Sequence, residues 1–185
     1  CISATELVAA FTLPAIVEKL RRQWPGIKIE IIASNDTSDL IRREADIAIR
    51  SYRPTQQDLI IKRLSSGYMH LYASKDYVKN LPRRKQPADL SGADFLGFNH
   101  SQMMVTEMNK LGFGVGEDNF PVIAGNHLVQ WELVKKGAGI GFMAIEVGDT
   151  ETTVERVLPE HPPFEIERWL VVHRELKTSR RLLPR

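Results

Sequence analysis

Arg43-Glu44-Ala45-Asp46-Ile47-Ala48-Ile49-Arg50, followed by Arg53-Pro54-Thr55-Gln56-Gln57-Asp58-Leu59, is the stretch that decides the fold. Ile47, Ala48 and Ile49 form an apolar core with acidic residues just before it and arginine just after. A short apolar run closed by a proline-containing turn is the pattern of a strand buried on both faces. It places a guanidinium at the carboxyl end of that strand, where open α/β sheets bind ligands.

Upstream, Ile2 reads as the tail of a strand, so the sequence is expected to be a fragment of a longer polypeptide. Ser3-Ala4-Thr5-Glu6 fits a capping box, with the Ser3 hydroxyl covering backbone amides and Glu6 folding back. Leu13, Ile16, Val17, Leu20 and Trp24 then repeat at helical spacing. Pro14 kinks that helix or opens its second part, and Pro25-Gly26 stops it. Ile27, Ile29 and Ile31 alternate with Lys28 and Glu30 as a strand ending near Ala33. The polar loop Ser34-Asn35-Asp36-Thr37 leads into a short helix, Ser38–Glu44, and then into the strand over Asp46–Ile49. This β-α-β-α-β order is that of a parallel, doubly wound sheet. Ile60–Leu64 and Tyr68–Ser74 read as a further strand pair around Ser65-Ser66-Gly67.

Beyond Ser74 the pattern predicts helices over Asp76–Leu81, Gln102–Leu111 and Leu128–Lys136. It predicts strands over Phe95–Phe98, Phe120–Ala124, Ile140–Ala144 and Val154–Leu158, and one long strand over Glu165–His173. The expected organisation is therefore two α/β units: residues 1–74 plus about 165–185, and residues 75–164.

A chain of 185 residues with 43% hydrophobic content can build a core in one domain or two small ones. The formal net charge is only +2, and the Lys/Arg pairs are scattered, so they read as solvated helix ends rather than a nucleic-acid stripe. The single cysteine, Cys1, excludes an intramolecular disulfide and fits a reducing compartment. No apolar run is long enough to cross a membrane as a helix.

The motifs of common enzymes are missing. Gly112-Phe113-Gly114-Val115-Gly116 and Gly137-Ala138-Gly139-Ile140-Gly141 lack the sixth-position glycine of a dinucleotide fingerprint. The second also runs from a helix into a strand, the reverse of the required order, and reads as a turn that lets the two pack closely. The histidines stand apart without metal-ligand spacing. A small α/β enzyme would need a catalytic constellation that these residues do not supply.

Taken in order, the residues resemble the effector-binding domain of LysR-type transcriptional regulators. The resemblance runs from Ile2-Ser3-Ala4 and Leu13-Pro14, through Trp24-Pro25-Gly26-Ile27-Lys28-Ile29-Glu30, to Asp39-Leu40 with the opening stretch Arg43–Arg50. It continues through Arg53-Pro54-Thr55-Gln56, Leu71-Tyr72-Ala73-Ser74 with Tyr77, Gly137–Gly141, and Trp169-Leu170-Val171-Val172-His173. Where many members carry a proline shortly after the glycine-rich turn, this chain has Phe142-Met143-Ala144. The resemblance implies an α/β fold of two Rossmann-like subdomains with a hinged cleft, type-2 periplasmic-binding-protein-like. It also implies a small-molecule effector, no cofactor, no metal, no catalysis, no membrane and a cytoplasmic location. The implied assembly is a homodimer or tetramer that reaches DNA only through an N-terminal winged helix-turn-helix domain outside this sequence, with RNA polymerase as a further partner. A periplasmic-type solute-binding protein is the alternative with a similar fold.

Carried onto this sequence, the family's effector contacts fall on Ser3, Thr5 and Glu6, on Asn35, Asp36 and Thr37, and on Arg50, Ser51 and Arg53. The second subdomain contributes Asn99, His100, Ser101, Asn126, His127 and Phe142. Helix N-termini and a bidentate guanidinium suit a carboxylate or other anion, while Glu6 and Asp36 favour one that also carries an amino or hydroxyl group. Simpler roles stay open: Ser3, Thr5 and Thr37 as helix caps, Arg50 paired with Glu44 or Asp46 or placed at a dimer surface, Asn99 and His100 as turn residues, and Asn126 as an N-cap. By family analogy the Leu128–Lys136 helix and the first helix are dimer surfaces.

Overall fold

The computed structural model describes residues 1–35, 45–54, 59–98 and 101–173. The chain divides into two compact units, Cys1–Gly67 with Ile166–Arg185, and Tyr68–Glu165.

Unit 1 is a five-stranded sheet made of β1 (Ile2–Ala4), β2 (Ile31–Ala33), β3 (Ile47–Arg50), β4 (Leu59–Arg63) and β11 (Trp169–His173), in the order β2-β1-β3-β11-β4. β1 is parallel to both β2 and β3, whereas β11 is antiparallel to β3 and β4. Side chains alternate between the two faces. Ile2, Ala4 and Ile49 pack with Val8 and Leu13 on one face. Ala48 and Val171 pack with Leu59, Ile61 and Trp169 on the other. This double burial is what the Ile47-Ala48-Ile49 run predicts.

The chain is helical from Glu6, passing through a π-helical turn, Val8–Thr12, into α1 (Leu13–Gln23). Pro14 lies in the first turn of α1. It has no N–H to give the carbonyl four residues back. The wider turn forms just ahead of it, and the Leu13 N–H bonds the Val8 carbonyl five residues earlier.

Unit 2 centres on β5 (Gly67–Ser74), which begins at the unit boundary and pairs antiparallel with β8 (Gly141–Ala144) and β9 (Val154–Arg156), with β10 (Phe164–Ile166) also alongside. A parallel pair, β6 (Leu96–Phe98) and β7 (Val122–Ala124), joins this framework through the Phe95–Ile140 bridge. The helices are α2 (Lys75–Asn80), α3 (Ser101–Lys110), α4 (His127–Lys135) and the single turn α5 (Ile145–Gly148). Leu71, Phe95, Met108, Phe113, Phe120, Ile140 and Leu158 form its core. The glycine-rich turn after α4 packs helix against strand: Gly137 has φ +80°, and a Cβ on Gly141 would lie 2.5 Å from a Val134 methyl.

Five expectations change. Ser3 lies inside β1 and is no capping-box residue. The strand expected from Ile27 begins at Ile31, because the Arg21 guanidinium binds the Pro25 and Ile27 carbonyls at 2.5 and 2.7 Å and ties that segment to α1. β4 and β5 do not pair with one another; β4 joins β11, and β5 joins unit 2. The division between units accordingly falls at Gly67, ahead of Ser74. The long strand expected over Glu165–His173 is two strands in two sheets, interrupted at Glu167-Arg168, where the Arg168 carbonyl accepts from the Leu64 N–H at 2.8 Å. The helix expected over Ser38–Glu44 lies outside the described residues.

Candidate effector site

In unit 1 the chain runs from β1 to β2 on one side of it and from β3 to β4 on the other, so the carboxyl ends of β1 and β3 lie at a topological switch point, where a sheet of this kind opens a crevice. The residues just past β1, β2 and β3 meet there. Ser34 N–H donates to the Ala4 carbonyl at 2.9 Å, and Thr5 N–H to the Ile49 carbonyl at 3.3 Å. Those backbone bonds bring the Thr5 and Ser51 hydroxyls to 3.4 Å and let the Asn35 Oδ1 accept from Glu6 N–H at 3.2 Å. The Thr5 carbonyl takes the Ala9 N–H at 2.8 Å, so Thr5 stands at the helix entrance, yet the side chain that covers a helix amide comes from the β2 loop. Such a cap in trans leaves no local sequence signal. Thr5 is buried, Asn35 and Glu6 are half-buried, and Ser51 is exposed.

The two arginines separate. Arg50 is buried, and its Nη2 donates to the Ser3 Oγ at 2.7 Å across the β1–β3 ladder. Its chemistry is that of an internal brace. Asp46, one of the acids expected to pair with Arg50, contacts the Cys1 amino group. Arg53 is exposed, with its guanidinium carbon 5.5 Å from the centre of the Trp169 ring.

In unit 2, Asn126 is the N-cap of α4, accepting from Leu128 N–H at 2.8 Å and Val129 N–H at 3.2 Å. The His127 ring stacks on Phe98 with centroids 3.8 Å apart and lies 3.4 Å from Gln130 Oε1. Gln130 is buried and donates to the Leu96 carbonyl at 2.6 Å, so His127 and the end of β6 share one hydrogen-bonded corner. Phe142 packs edge-on against Phe164 at 5.4 Å. Ser101 opens α3. Asp36, Thr37, Asn99 and His100 lie outside the described residues.

Sequence reading missed two polar features of unit 2. His70 is fully buried, with Nδ1 accepting from Leu71 N–H at 3.0 Å, which leaves Nε2 to donate to the His161 carbonyl at 3.1 Å. Burial lowers its pKa. The Tyr72 hydroxyl donates to Asp149 Oδ1 at 2.8 Å, and Arg156 binds the same carboxylate with two nitrogens at 2.8 and 2.5 Å. The Arg156 guanidinium, more than any other neighbour, lowers the Asp149 pKa, while burial raises that of Tyr72. Among the described residues no cluster of His, Cys, Asp and Glu is placed to hold a metal ion, and no helix is long and apolar enough to cross a membrane.

The sheet order and the two-unit organisation belong to the type-2 periplasmic-binding-protein-like fold. The sequence matches the LysR substrate binding domain over residues 1–183, and the chain belongs to that family. It is similar to the regulatory domain of CrgA, a LysR-type transcriptional regulator from Neisseria meningitidis (TM-score 0.83, 18% identity, 98% of this chain and 91% of that one). It is also similar to full-length AphB, a Vibrio cholerae virulence activator (TM-score 0.72, 19% identity, 93% and 60%). Among curated proteins it is 24% identical over 146 residues to the HTH-type transcriptional regulator PtxR of Pseudomonas aeruginosa, covering 77% of this chain and 46% of that protein. It is 26% identical over 98 residues to the activator AaeR of Escherichia coli, covering 53% and 32%. The chain thus spans less than half the length of these two curated relatives. They are regulators, which favours the regulatory reading over a solute-binding protein.

Proposed function

We propose that this chain is the ligand-sensing part of a cytoplasmic transcriptional regulator, without catalytic activity, that binds a small carboxylate bearing an amino or hydroxyl group. The observation that carries the reading is the convergence of Thr5, Asn35 and Ser51 from three loops at the carboxyl ends of β1, β2 and β3. Hydroxyls 3.4 Å apart at a helix entrance, with Arg53 exposed on the Ser51 loop, offer an anion both donors and charge. Glu6 beside them suits a cationic or donor group on the same ligand. Arg50 serves this site as a brace, since its guanidinium is committed to Ser3.

The regulator reads DNA through a helix-turn-helix domain outside this chain, works as a homodimer or tetramer, and passes its signal to RNA polymerase. Exposed Phe11 and Ile16 on the first helical segment and exposed Val129 on α4 support an oligomer, since they leave apolar surface for a partner to cover. Sedimentation velocity is expected to give a dimer or tetramer whose mass falls in Ile16→Glu and Val129→Glu variants.

A thermal-shift screen against amino acids, hydroxy acids, aromatic carboxylates and inorganic anions tests the binding site. A rise in melting temperature with one carboxylate class, absent in Thr5→Val and Ser51→Ala, is the expected result. A rise that survives both substitutions would move the effector elsewhere.

A further inference from the structure

Trp169 is in register with Arg50 on β3 and with Arg63 on β4, so the three side chains leave the same face of the sheet. Arg50 is turned into the core towards Ser3. The indole has two other partners. One ring face is covered by the Arg53 guanidinium at 5.5 Å, and its Nε1–H donates to Glu167 Oε2 at 3.0 Å. The other oxygen of Glu167 lies 3.5 Å from Arg63 Nη2. The chain Arg53–Trp169–Glu167–Arg63 therefore runs from the loop after β3 to the segments where the polypeptide passes between the two units.

Those two crossings are themselves fastened together. Leu64 N–H donates to the Arg168 carbonyl at 2.8 Å, and the Arg168 guanidinium lies over Gly67 so closely that a Cβ there would sit 2.7 Å from its Nε. Glu167 and Arg168 thus divide the work: the backbone of one binds the crossings, and the side chain of the other holds the indole.

We propose that Trp169 is the positioning residue for Arg53, and that Glu167 and Arg63 fix the indole so that the loop Ser51–Pro54 is tied to the paired crossings. An anion that draws Arg53 off the indole gives up this tie, and tightening of the tie draws Arg53 away from the anion. The role in binding rests on placing Arg53 at the effector site, but the tie itself is measurable without any ligand.

The experiment is hydrogen exchange on the 185-residue chain with no ligand added, read at the Ser51, Tyr52 and Arg53 amides. Glu167→Ala and Trp169→Leu are expected to speed exchange there by roughly two- to fivefold, the scale of an exposed cation–π contact, with β5 and α4 unchanged. Trp169→Phe keeps a ring face and loses the indole N–H, and is expected to fall between. Should Trp169→Leu fail to fold, Trp169→Phe and Glu167→Ala carry the test. In an Arg53→Ala background, Glu167→Ala is expected to add nothing at these amides. A rise confined to residues 63–68 and 166–170, or an undiminished rise at Ser51–Arg53 in the Arg53→Ala background, overturns the proposal. Failure of the carboxylate screen with this exchange pattern intact would count against the effector assignment alone.

Discussion

The Arg50 guanidinium donates to the Ser3 hydroxyl at 2.7 Å, and both side chains are buried between neighbouring parallel strands. A serine at a central strand position is costly unless its hydroxyl is used, and a buried guanidinium is costlier still without acceptors. Ser3→Ala removes one acceptor from a buried charge and is expected to cost about 2 kcal/mol in urea unfolding. Arg50→Met removes the charge as well as the bond and fills part of the space. Its loss is therefore expected to differ from that of Arg50→Ala, which adds a cavity to the same electrostatic change and is expected to be the worse of the two.

Asn126 covers the first amides of α4 with a single side-chain oxygen, and the stacked His127–Phe98 pair follows directly. Asn126→Ala is expected to cost about 1 kcal/mol. Asn126→Asp keeps the acceptor, adds a charge favoured by the helix dipole, and is expected to restore most of that loss. Chemical denaturation of the two variants in parallel checks both.

The Ile47-Ala48-Ile49 run was legible because burial on both faces leaves no polar gap, and the parallel pairing of β1 with β2 and β3 follows from the strand and turn signals on either side of it. Asn126 was legible as a cap because its signal is local. Ser3 was misread because its neighbours spell a capping box, while its real partner is 47 positions away and found only through the register of β1 on β3. Asn35 covering Glu6 N–H, and Arg53 lying on Trp169, are likewise contacts between segments that periodicity does not connect. The break at Glu167-Arg168 was hidden because the extended pattern of Glu165–His173 does not record that its halves belong to different sheets.

Tyr72 and Arg156 share the Asp149 carboxylate, but their contributions differ in kind. Asp149 and Arg156 side chains are 42% and 30% exposed, so screening holds their ion pair to about 1 kcal/mol or less. The Tyr72 hydroxyl belongs to a buried residue. Asp149→Ala removes the hydroxyl's acceptor and the ion pair together and is expected to cost about 1–2 kcal/mol, more than Tyr72→Phe, which removes the hydroxyl and leaves the ion pair whole. Because the folded-state pKa of Asp149 is lowered from 3.8, its contribution is present above that value and declines as pH falls below it. Acid titration of the unfolding free energy is expected to be shallower in Asp149→Asn.

His70 titrates in a different window. Burial is the main cause that disfavours its cation, and in geometric terms its Nδ1 already accepts the Leu71 N–H, so protonation there requires breaking that bond. Arg156 and His161 are the charged or titratable neighbours that disfavour it by like charge, and Tyr72 faces it ring to ring. The Nε2 bond to the His161 carbonyl and that of Nδ1 favour opposite charge states in geometric terms, since only the first has a proton to share with an acceptor. The folded-state pKa therefore lies below 6.5, the unfolded chain binds the proton first, and stability is lost as pH falls from 6.5 towards the folded value. For one proton the slope is at most about 1.4 kcal/mol per pH unit. His70→Leu is expected to lower stability at pH 7.5, where both hydrogen bonds are intact in the parent chain, and to flatten the decline that sets in below about pH 6.5. Equal slopes in parent and variant would place the titration on another group.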